Sequence, residues 1–436
     1  MSYLPPEILE NIFHHTNIST LHSCILVNRA WCRVAIYILW SQPFKHAWKF
    51  KEKDTYKILT KSTKLLLCYS RFFHSSERSA LGAWYIDFPS SNVDVTPLFE
   101  YPYFLRKLNY VTFIFSIERL IKHNLSAFLT KKYKEKWREL EFPVSTYLNS
   151  KFFNPDTRSQ MKSKSSTFFN NKDGTKIHST RKNKYRRMVK VQTAMLGQYF
   201  LRLFIRKGSV LTKLKLVCPE DYIEDWQQTC KYAALMDSTD ILMYLGTIKK
   251  LEVGDLAHNL KQSKLLGELA ITCNNLKRLG VTFYRTTARK KHIPDKDLAS
   301  LILSQNSLLH FRYRGIAEKL AMYSLTTQIM FLKRIEFEDA DFRGDNSIFY
   351  WIAQCEVLEC LTFGLRRYVD RDMLAPLFKN NVLPKLKEVK LGRGARGRFY
   401  CDELEEWLWS RKFKKCSSYL KRENIGWVCI YRASGE

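Results

Sequence analysis

The segment GRGARG at 392–397 has the Gly-x-Gly-x-x-Gly spacing that lets a backbone approach a pyrophosphate. It follows the strand-like KEVKL and precedes a helix-like stretch, DELEEWLW at 402–409. That stretch opens with carboxylates, which would repel a phosphate from the helix end that normally attracts it. No acidic residue follows at the place where a ribose contact would be needed. The segment is therefore interpreted as a flexible loop, and no cofactor is predicted.

The other residues capable of chemistry do not form a catalytic or metal-binding pattern. His14 and His15 are adjacent, so they point to different sides of a helix and are poorly placed to share a metal. Eleven cysteines occur without a Cys-x-x-Cys pair, and Cys355 and Cys360 flank an apolar stretch that predicts core positions. The zinc-protease, serine-hydrolase, P-loop and RING patterns are all missing. The sequence thus predicts a non-catalytic protein without a metal site.

Cysteine usage and hydropathy also bear on location. Scattered, odd-numbered cysteines suit reduced thiols, and the first residues lack the basic region of a signal peptide. The most apolar window, YVTFIF at 110–115, is far shorter than the roughly 20 residues that span a bilayer. Cytoplasm, nucleus or both are expected, without membrane insertion.

Charge leaves nucleic acid open as a partner. The net charge is +30, and residues 151–190 alone carry twelve Lys or Arg against two Asp. The basic runs at 131–138 and 181–187 also contain aromatic residues, although no RNA-binding signature accompanies them. A nucleic-acid-binding scaffold that uses the 151–190 insertion is therefore the alternative hypothesis, beside solvated helix faces and loops.

The N-terminal segment 4–40 is short, apolar and electrically neutral, with two Glu and two Arg. Prolines at 5 and 6 and the spacing of apolar residues predict a first helix, and Asn17 or Ser19 can begin a second. A third helix is predicted from about Arg29 to Leu39. Chains this short rarely bury their own apolar surface. The apolar surface of the segment must therefore be buried against another protein or, alternatively, against residues 45–150 of the same chain.

From about residue 200 onward, a Leu-x-x-Leu-x-Leu pattern recurs seven times, with starts 24 to 37 residues apart. Alternation of the last apolar positions predicts strands, and stretches such as 265–275 between them have helical spacing. Repeats of this size cannot bury an apolar face alone, so they are expected to stack. Unrelated strands of an ordinary α/β domain remain the alternative. The seven motifs are LTKLKL (211–216), IKKLEV (248–253), LKRLGV (276–281), LLHFRY (308–313), LKRIEF (332–337), LECLTF (358–363) and LKEVKL (386–391).

The segment 4–40 resembles an F-box in four sub-motifs. These are the opening LPPEIL, Ile12–Phe13, Val27 with Trp31, and the closing Leu39–Trp40. Many F-boxes carry Leu-Asp where this chain has Thr16–Asn17, although Asn17 can still cap a helix. With the repeats, the chain resembles the F-box/leucine-rich-repeat proteins.

The residue patterns and the resemblance together predict a fold that combines α and α/β parts in four regions. Residues 1–44 would be a three-helix F-box, and 45–150 a mixed, mostly helical linker region. Residues 151–190 would be a basic flexible or disordered insertion, and 191–436 an irregular leucine-rich-repeat solenoid. The stretch GWVCIY at 426–431 is predicted as its closing strand.

The resemblance also implies docking on the adaptor Skp1, which connects to a cullin-containing ubiquitin ligase, while the repeats hold a protein substrate. An F-box protein acting outside a ligase is a further alternative. The implied docking residues are Leu4, Pro5, Ile8, Leu9, Ile12, Phe13, Leu21, Val27, Trp31 and Trp40.

The substrate face is predicted from strand alternation. The residue between the last two apolar positions of a motif should project from the open face of the sheet, and Arg314 and Glu338 lie one alternation further along the same face. These residues are Lys215, Glu252, Arg312, Arg314, Glu336, Glu338, Thr362 and Lys390.

Overall fold

The computed structural model describes residues 4–44, 55–84, 86, 88, 97–128, 175–217, 233–236, 238–254, 260–282, 295–316, 319–342, 347–365, 375–378, 382–392, 410, 413–416 and 428–433. The described residues mix helices and strands, as the sequence predicts. They fall into two compact units. Unit 1 comprises Met1–Val210 and Gln228–Ile241, and unit 2 comprises Leu211–Gln227 and Leu242–Glu436.

Unit 1 is mainly helical, and aromatic side chains fill its centre. Tyr69, Phe113 and Phe204 are fully buried. The Phe204 ring centroid lies 5.3 Å from that of Tyr69 and 6.2 Å from that of Phe113. The elements of unit 1 are α1 (Pro6–His14), α2 (Ile18–Cys24), α3 (Arg29–Ser41), α4 (Thr55–Ser70), α5 (Ser75–Gly82), β1 (Lys107–Asn109), α6 (Tyr110–Phe128), α7 (Thr175–Arg206) and α8 (Ala233–Met236).

Unit 2 alternates strands with helices. Its strands are β2 (Lys213–Leu216), β3 (Lys250–Gly254), β4 (Arg278–Thr282), β5 (His310–Ile316), β6 (Arg334–Asp341), β7 (Cys360–Leu365), β8 (Glu388–Gly392), β9 (Phe413–Cys416) and β10 (Val428–Ala433). The helices between the strands are α10 (Leu260–Thr272), α11 (Asp295–Leu303), α12 (Lys319–Ser324) and α13 (Ser347–Ile352), and α9 (Thr239–Leu245) spans the division between the units.

Each of the seven repeated motifs lies on one strand from β2 to β8. These strands are parallel, and each pairs with the next in chain order. The pairing is in register, so the second apolar position of every motif forms one row across the sheet, from Leu214 to Val389. That row is buried throughout. The alternation of the sequence therefore turns one face of the sheet into the core of unit 2.

Two buried glutamines connect successive loops of this unit. Gln305 Oε1 accepts a hydrogen bond from Leu276 N, and its Nε2 donates to the carbonyl oxygens of Cys273 and Leu301. Gln328 does the same one strand further, since it accepts from Leu308 N and donates to Gln305 O. The two side-chain amides thus form hydrogen bonds with buried backbone N–H and C=O groups of the loops.

The structure differs from the predicted regions in two places. Residues 175–190, predicted as flexible, form the first half of α7, whose apolar periodicity begins only near Met188. Residues 191–210, predicted to start the solenoid, belong to unit 1. The remainder of the predicted insertion, 151–174, lies outside the described residues, as do the run at 131–138 and residues 393–397 and 402–409. The predicted final strand is present as β10, but it is antiparallel to β8 and β9 lies beyond it.

Candidate functional site

The first three helices begin at well-defined caps. Pro5 and Pro6 open α1, and Glu7 lies in its first turn, where a negative charge is favourable. Asn17, and not Ser19, caps α2, because its Oδ1 accepts a hydrogen bond from Thr20 N at 2.9 Å. Asn28 caps α3 in the same way with Trp31 N. These short polar caps set the three helix starts.

A small apolar core joins these helices. Leu9, Phe13 and Leu21 are buried in it together with residues of α3. The rings of Phe13 and Trp31 meet edge to face, with centroids 5.2 Å apart. Three of the ten predicted docking residues therefore support the helices from inside, and Trp31 is partly buried against them.

A second apolar stripe on the same helices faces outward. Ile8 and Ile12 lie one turn apart on α1, Leu4 precedes the helix by two residues, and each of the three is 46–49% exposed. Pro5 is exposed, and Val27 in the turn between α2 and α3 is 57% exposed. Five of the ten predicted docking residues thus lie open on the surface.

Two further apolar residues of these helices and their turn are exposed, although the sequence reasoning did not include them. Ile18 begins α2 and is 38% exposed, while Leu26 lies beside Val27 and is 86% exposed. Adjacent apolar residues in a turn can both be exposed because a turn breaks the helical period. The sequence signal for this turn was Asn28, which ends the apolar stretch of α2 and caps α3.

The end of α3 packs against later residues of the same unit. The Trp40 ring stacks on Tyr101 with centroids 4.1 Å apart and meets Tyr69 edge to face. Ser41 O accepts a hydrogen bond from Arg106 N. The alternative in which the segment packs on residues 45–150 therefore applies to the end of α3, whereas Leu4, Ile8 and Ile12 stay exposed in the structure.

The comparison with protein families finds the F-box-like family in this part of the chain. Its model matches residues 1–46. Residues 1–46 are an F-box-like domain. The match supports the assignment of the chain as an F-box protein, and F-box domains generally bind Skp1-like adaptors. No curated protein matches the chain.

The second candidate surface is the open face of the sheet in unit 2. Strand pairing aligns six of the eight predicted substrate-face residues in one row, with Gly280 as its seventh position. Arg314 and Glu338 pair in the next row. The six residues of the first row are Lys215, Glu252, Arg312, Glu336, Thr362 and Lys390.

Ion pairs cross this face from strand to strand. Glu252 on β3 pairs with Lys213 and Lys215 on β2. Arg312 on β5 pairs with Glu338 on β6, and its Nε lies 3.8 Å from Glu336 Oε2. Ion pairs within the sheet therefore hold the Arg312 side chain, which is 44% exposed.

These contacts shift the pKa of the carboxyls. Burial raises the pKa of Glu252, but the hydrogen bond of Lys213 and the positive charges around it lower the pKa by more, so the net shift is downward. The same balance lowers the pKa of Glu336, through its contact with His310 and the nearby Arg312 and Arg334. Both carboxyls are therefore ionised at neutral pH.

We expect acid to loosen this face. A carboxyl whose pKa is lower in the folded chain stabilises the fold above the ordinary value of 4.5, and this stability is lost as the pH falls through the lowered pKa. The protection of β3 and β6 against hydrogen–deuterium exchange, relative to the intrinsic exchange rate at each pH, should therefore fall between about pH 5 and pH 3. This loss of protection should be smaller in Glu252→Gln/Glu336→Gln.

Glu268→Gln/Glu356→Gln is the matched control, because neither carboxylate forms an ion pair with the residues that the structure describes. It should show the acid response of the unmodified chain. An equal response in all three proteins would exclude the ion pairs as its cause.

The sequence reasoning missed another row of this face. Lys213, Lys250, Arg278, His310 and Arg334 pair in register across β2 to β6. They come two residues before the predicted row, so they project from the same side of the sheet. The period-two alternation that selected Lys215 and Glu252 would also have selected them.

Thiol and metal chemistry is not evident in the described part of the chain. Burial raises the pKa of Cys355 to about 12 and that of Cys360 to about 11, so both thiols stay protonated at neutral pH. Both are buried, as their apolar context predicts. Among the described residues there is no cluster of three or more potential metal ligands, and no helix is long and apolar enough to cross a membrane.

Proposed function

We propose that this protein is the substrate-recognition subunit of a Skp1–cullin–F-box ubiquitin ligase. The observation that carries the proposal is the outward apolar stripe of Leu4, Ile8 and Ile12 on a domain that matches the F-box-like family. A stable interface of standard size buries about 800 Å² on each partner and needs a few apolar anchors. Well-buried Leu or Ile side chains each contribute roughly 1.5–3 kcal/mol.

Of the ten docking residues that the resemblance implies, the exposed ones would contact Skp1. Leu4, Pro5, Ile8, Ile12 and Val27 are the proposed contacts, together with Leu26 and Ile18. Leu9, Phe13 and Leu21 would hold the helices that present them. The balance of two Glu and two Arg in this segment suits an interface with an apolar centre.

Unit 2 is proposed to be a degenerate leucine-rich-repeat solenoid that binds the substrate. Seven motifs on seven sequential parallel strands, with helices on the return path between several of them, support this interpretation. The open, charged face of β2 to β8 is the proposed binding surface. The protein would be non-catalytic and would act by holding its target near the ligase subunits that transfer ubiquitin.

Binding to purified Skp1 in rising salt tests this proposal against the alternative of a nucleic-acid scaffold. From about 0.1 M to 1 M salt the screening length falls from about 10 Å to 3 Å, which weakens charged contacts far more than apolar ones. We expect the complex with Skp1 to persist through this range and to bring the cullin with it. If no Skp1 complex forms and the chain instead retains nucleic acid in a salt-sensitive way, the ligase proposal is wrong and the nucleic-acid scaffold is favoured.

Recruitment of the cullin by the preformed complex separates the ligase from an F-box protein that acts outside it. A Skp1 complex that excludes the cullin would support the second alternative.

A further inference from the structure

Five neighbouring strands of unit 2 carry a basic residue at the same register position. Lys213, Lys250, Arg278, His310 and Arg334 form this set, called here the basic row. Neighbouring strands lie about 4.8 Å apart, so the basic row extends for roughly 19 Å across the sheet. Its direction is perpendicular to the strands.

Two carboxylates lie beside the basic row, on β3 and β6. Glu252, two residues beyond Lys250 on β3, pairs with Lys213 and Lys215 of β2. Glu336 on β6 lies 3.2 Å from His310 Nε2 and 3.8 Å from Arg334 Nη1. The acidic side chains are therefore already engaged by basic partners.

The centre of the basic row lacks such partners. Within the described part of the chain, Lys250 and Arg278 form no ion pair, and Lys250 is exposed. The position that follows Arg278 on the same face is Gly280, which adds no side chain between Glu252 and Arg312 on the adjacent strands. A Cβ at Gly280 would contact Glu252 Cγ at 3.4 Å. Gly280 is itself buried and lies against Glu252, so the unpaired charge of this centre is that of Lys250 and Arg278.

His310 borders this centre and has an unsatisfied ring nitrogen. The residue is 8% exposed, and its Nδ1 has no hydrogen-bond partner. Its Nε2 is at ion-pair distance from Glu336 without the alignment of a hydrogen bond. A buried polar atom without a partner is costly.

We infer that the basic row binds an extended acidic segment of the protein substrate, with a carboxylate of that segment at Lys250 and Arg278. This inference rests on the proposed function and names the chemistry of the substrate. The face of β2 to β8 carries eight Lys or Arg and four Glu at its outward positions, so it attracts anions.

The distribution of those glutamates favours a peptide over a nucleic acid. A nucleic acid presents a phosphate at every step, and Glu252, Glu336 and Glu338 would repel some of them. An acidic peptide carries its charges at intervals, so its carboxylates need not meet every glutamate of this face. Carboxylates also accept the paired hydrogen bonds that a guanidinium such as that of Arg278 donates.

The test measures binding of a fluorescent peptide of alternating Glu and Ser to the full chain by anisotropy. Lys250→Ala/Arg278→Ala should weaken binding by at least about tenfold, since two charge-assisted contacts are lost. Lys264→Ala/Lys296→Ala removes the same charge from exposed helix positions and should change binding less than about twofold. A peptide in which Gln replaces Glu should not bind.

Four results would overturn the inference. The first three are equal losses in both variants, binding of the Gln peptide, and a preference for a thymidylate oligonucleotide that depends on Lys250 and Arg278. A phosphoserine version of the peptide distinguishes a phosphate source of the negative charge from a carboxylate source, and binding of that version alone would also overturn it.

Skp1 binding is measured on the same variants. We expect it to be unchanged, so loss of peptide binding is not confused with loss of adaptor docking. Conversely, failure of the chain to bind Skp1 would remove the ligase role while leaving the acidic-peptide site to stand or fall by its own measurements.

Discussion

Replacing Ile8 and Ile12 by aspartate is expected to lower the affinity for Skp1 by at least about 100-fold. Each side chain is nearly half exposed on α1 and would be buried by the adaptor. Two such residues contribute roughly 3–6 kcal/mol, and about 1.4 kcal/mol corresponds to a factor of ten. Burial of two carboxylates would add a desolvation cost. Titration of the purified full chain with Skp1 by calorimetry measures the effect.

The matched control is Ile271→Asp in α10. Ile271 is 78% exposed in unit 2, so the same chemical change is made outside the F-box-like domain and should leave the affinity for Skp1 unchanged. Amide exchange of α1 to α3 in Ile8→Asp/Ile12→Asp should also match the unmodified chain, because these side chains contribute little to the buried core. An unchanged affinity for Skp1 in Ile8→Asp/Ile12→Asp would refute docking through the apolar stripe of α1.

Leu9→Asp shows why exposure and not motif membership selects the test residues. Leu9 is 2% exposed and belongs to the core of the three helices. A carboxylate there would destabilise the helices themselves, so loss of Skp1 binding would not identify a contact. The F-box resemblance names Ile8 and Leu9 together, and only the structure separates them.

Local sequence signals predict much of the N-terminal domain and of the repeated strands. Proline, asparagine caps and apolar spacing predict α1 to α3, because helix starts depend on residues within one turn. Seven motifs predict β2 to β8, because a residue on a strand faces the core or the solvent according to its parity alone. The register then aligns Lys215, Glu252 and Arg312 without further information.

Other features depend on contacts between distant residues and have no local signal. The stacking of Trp40 on Tyr101 joins residues about sixty positions apart, and nothing near Trp40 indicates it. Residues 175–190 are helical in the structure, but they are rich in Lys, Ser and Thr and lack the apolar period that would predict a helix. The pairing of Arg312 with Glu338 likewise needs the strand register before it can be recognised.

Replacing Gln305 by leucine is expected to destabilise the middle of unit 2 by about 2–4 kcal/mol. Gln305 is 4% exposed, and its side chain serves Leu276 N, Cys273 O and Leu301 O. Leucine has a similar size but leaves Leu276 N and Cys273 O without this partner, each at a cost of about 1–3 kcal/mol, while Leu301 O keeps the hydrogen bond from Ser304 Oγ. Amide exchange of β4 and β5 should therefore accelerate by at least about 30-fold.

Gln354→Leu is the matched control, because Gln354 is exposed and makes no side-chain hydrogen bond with the residues that the structure describes. Gln305→Glu separates the two halves of the amide. It keeps an acceptor for Leu276 N but, when ionised, loses both donated hydrogen bonds, so it should destabilise β4 and β5 as well. Wild-type exchange in Gln305→Leu would mean that water or a local rearrangement satisfies these backbone groups. The side-chain amide of Gln305 would then not be required to stabilise the contact between successive repeats.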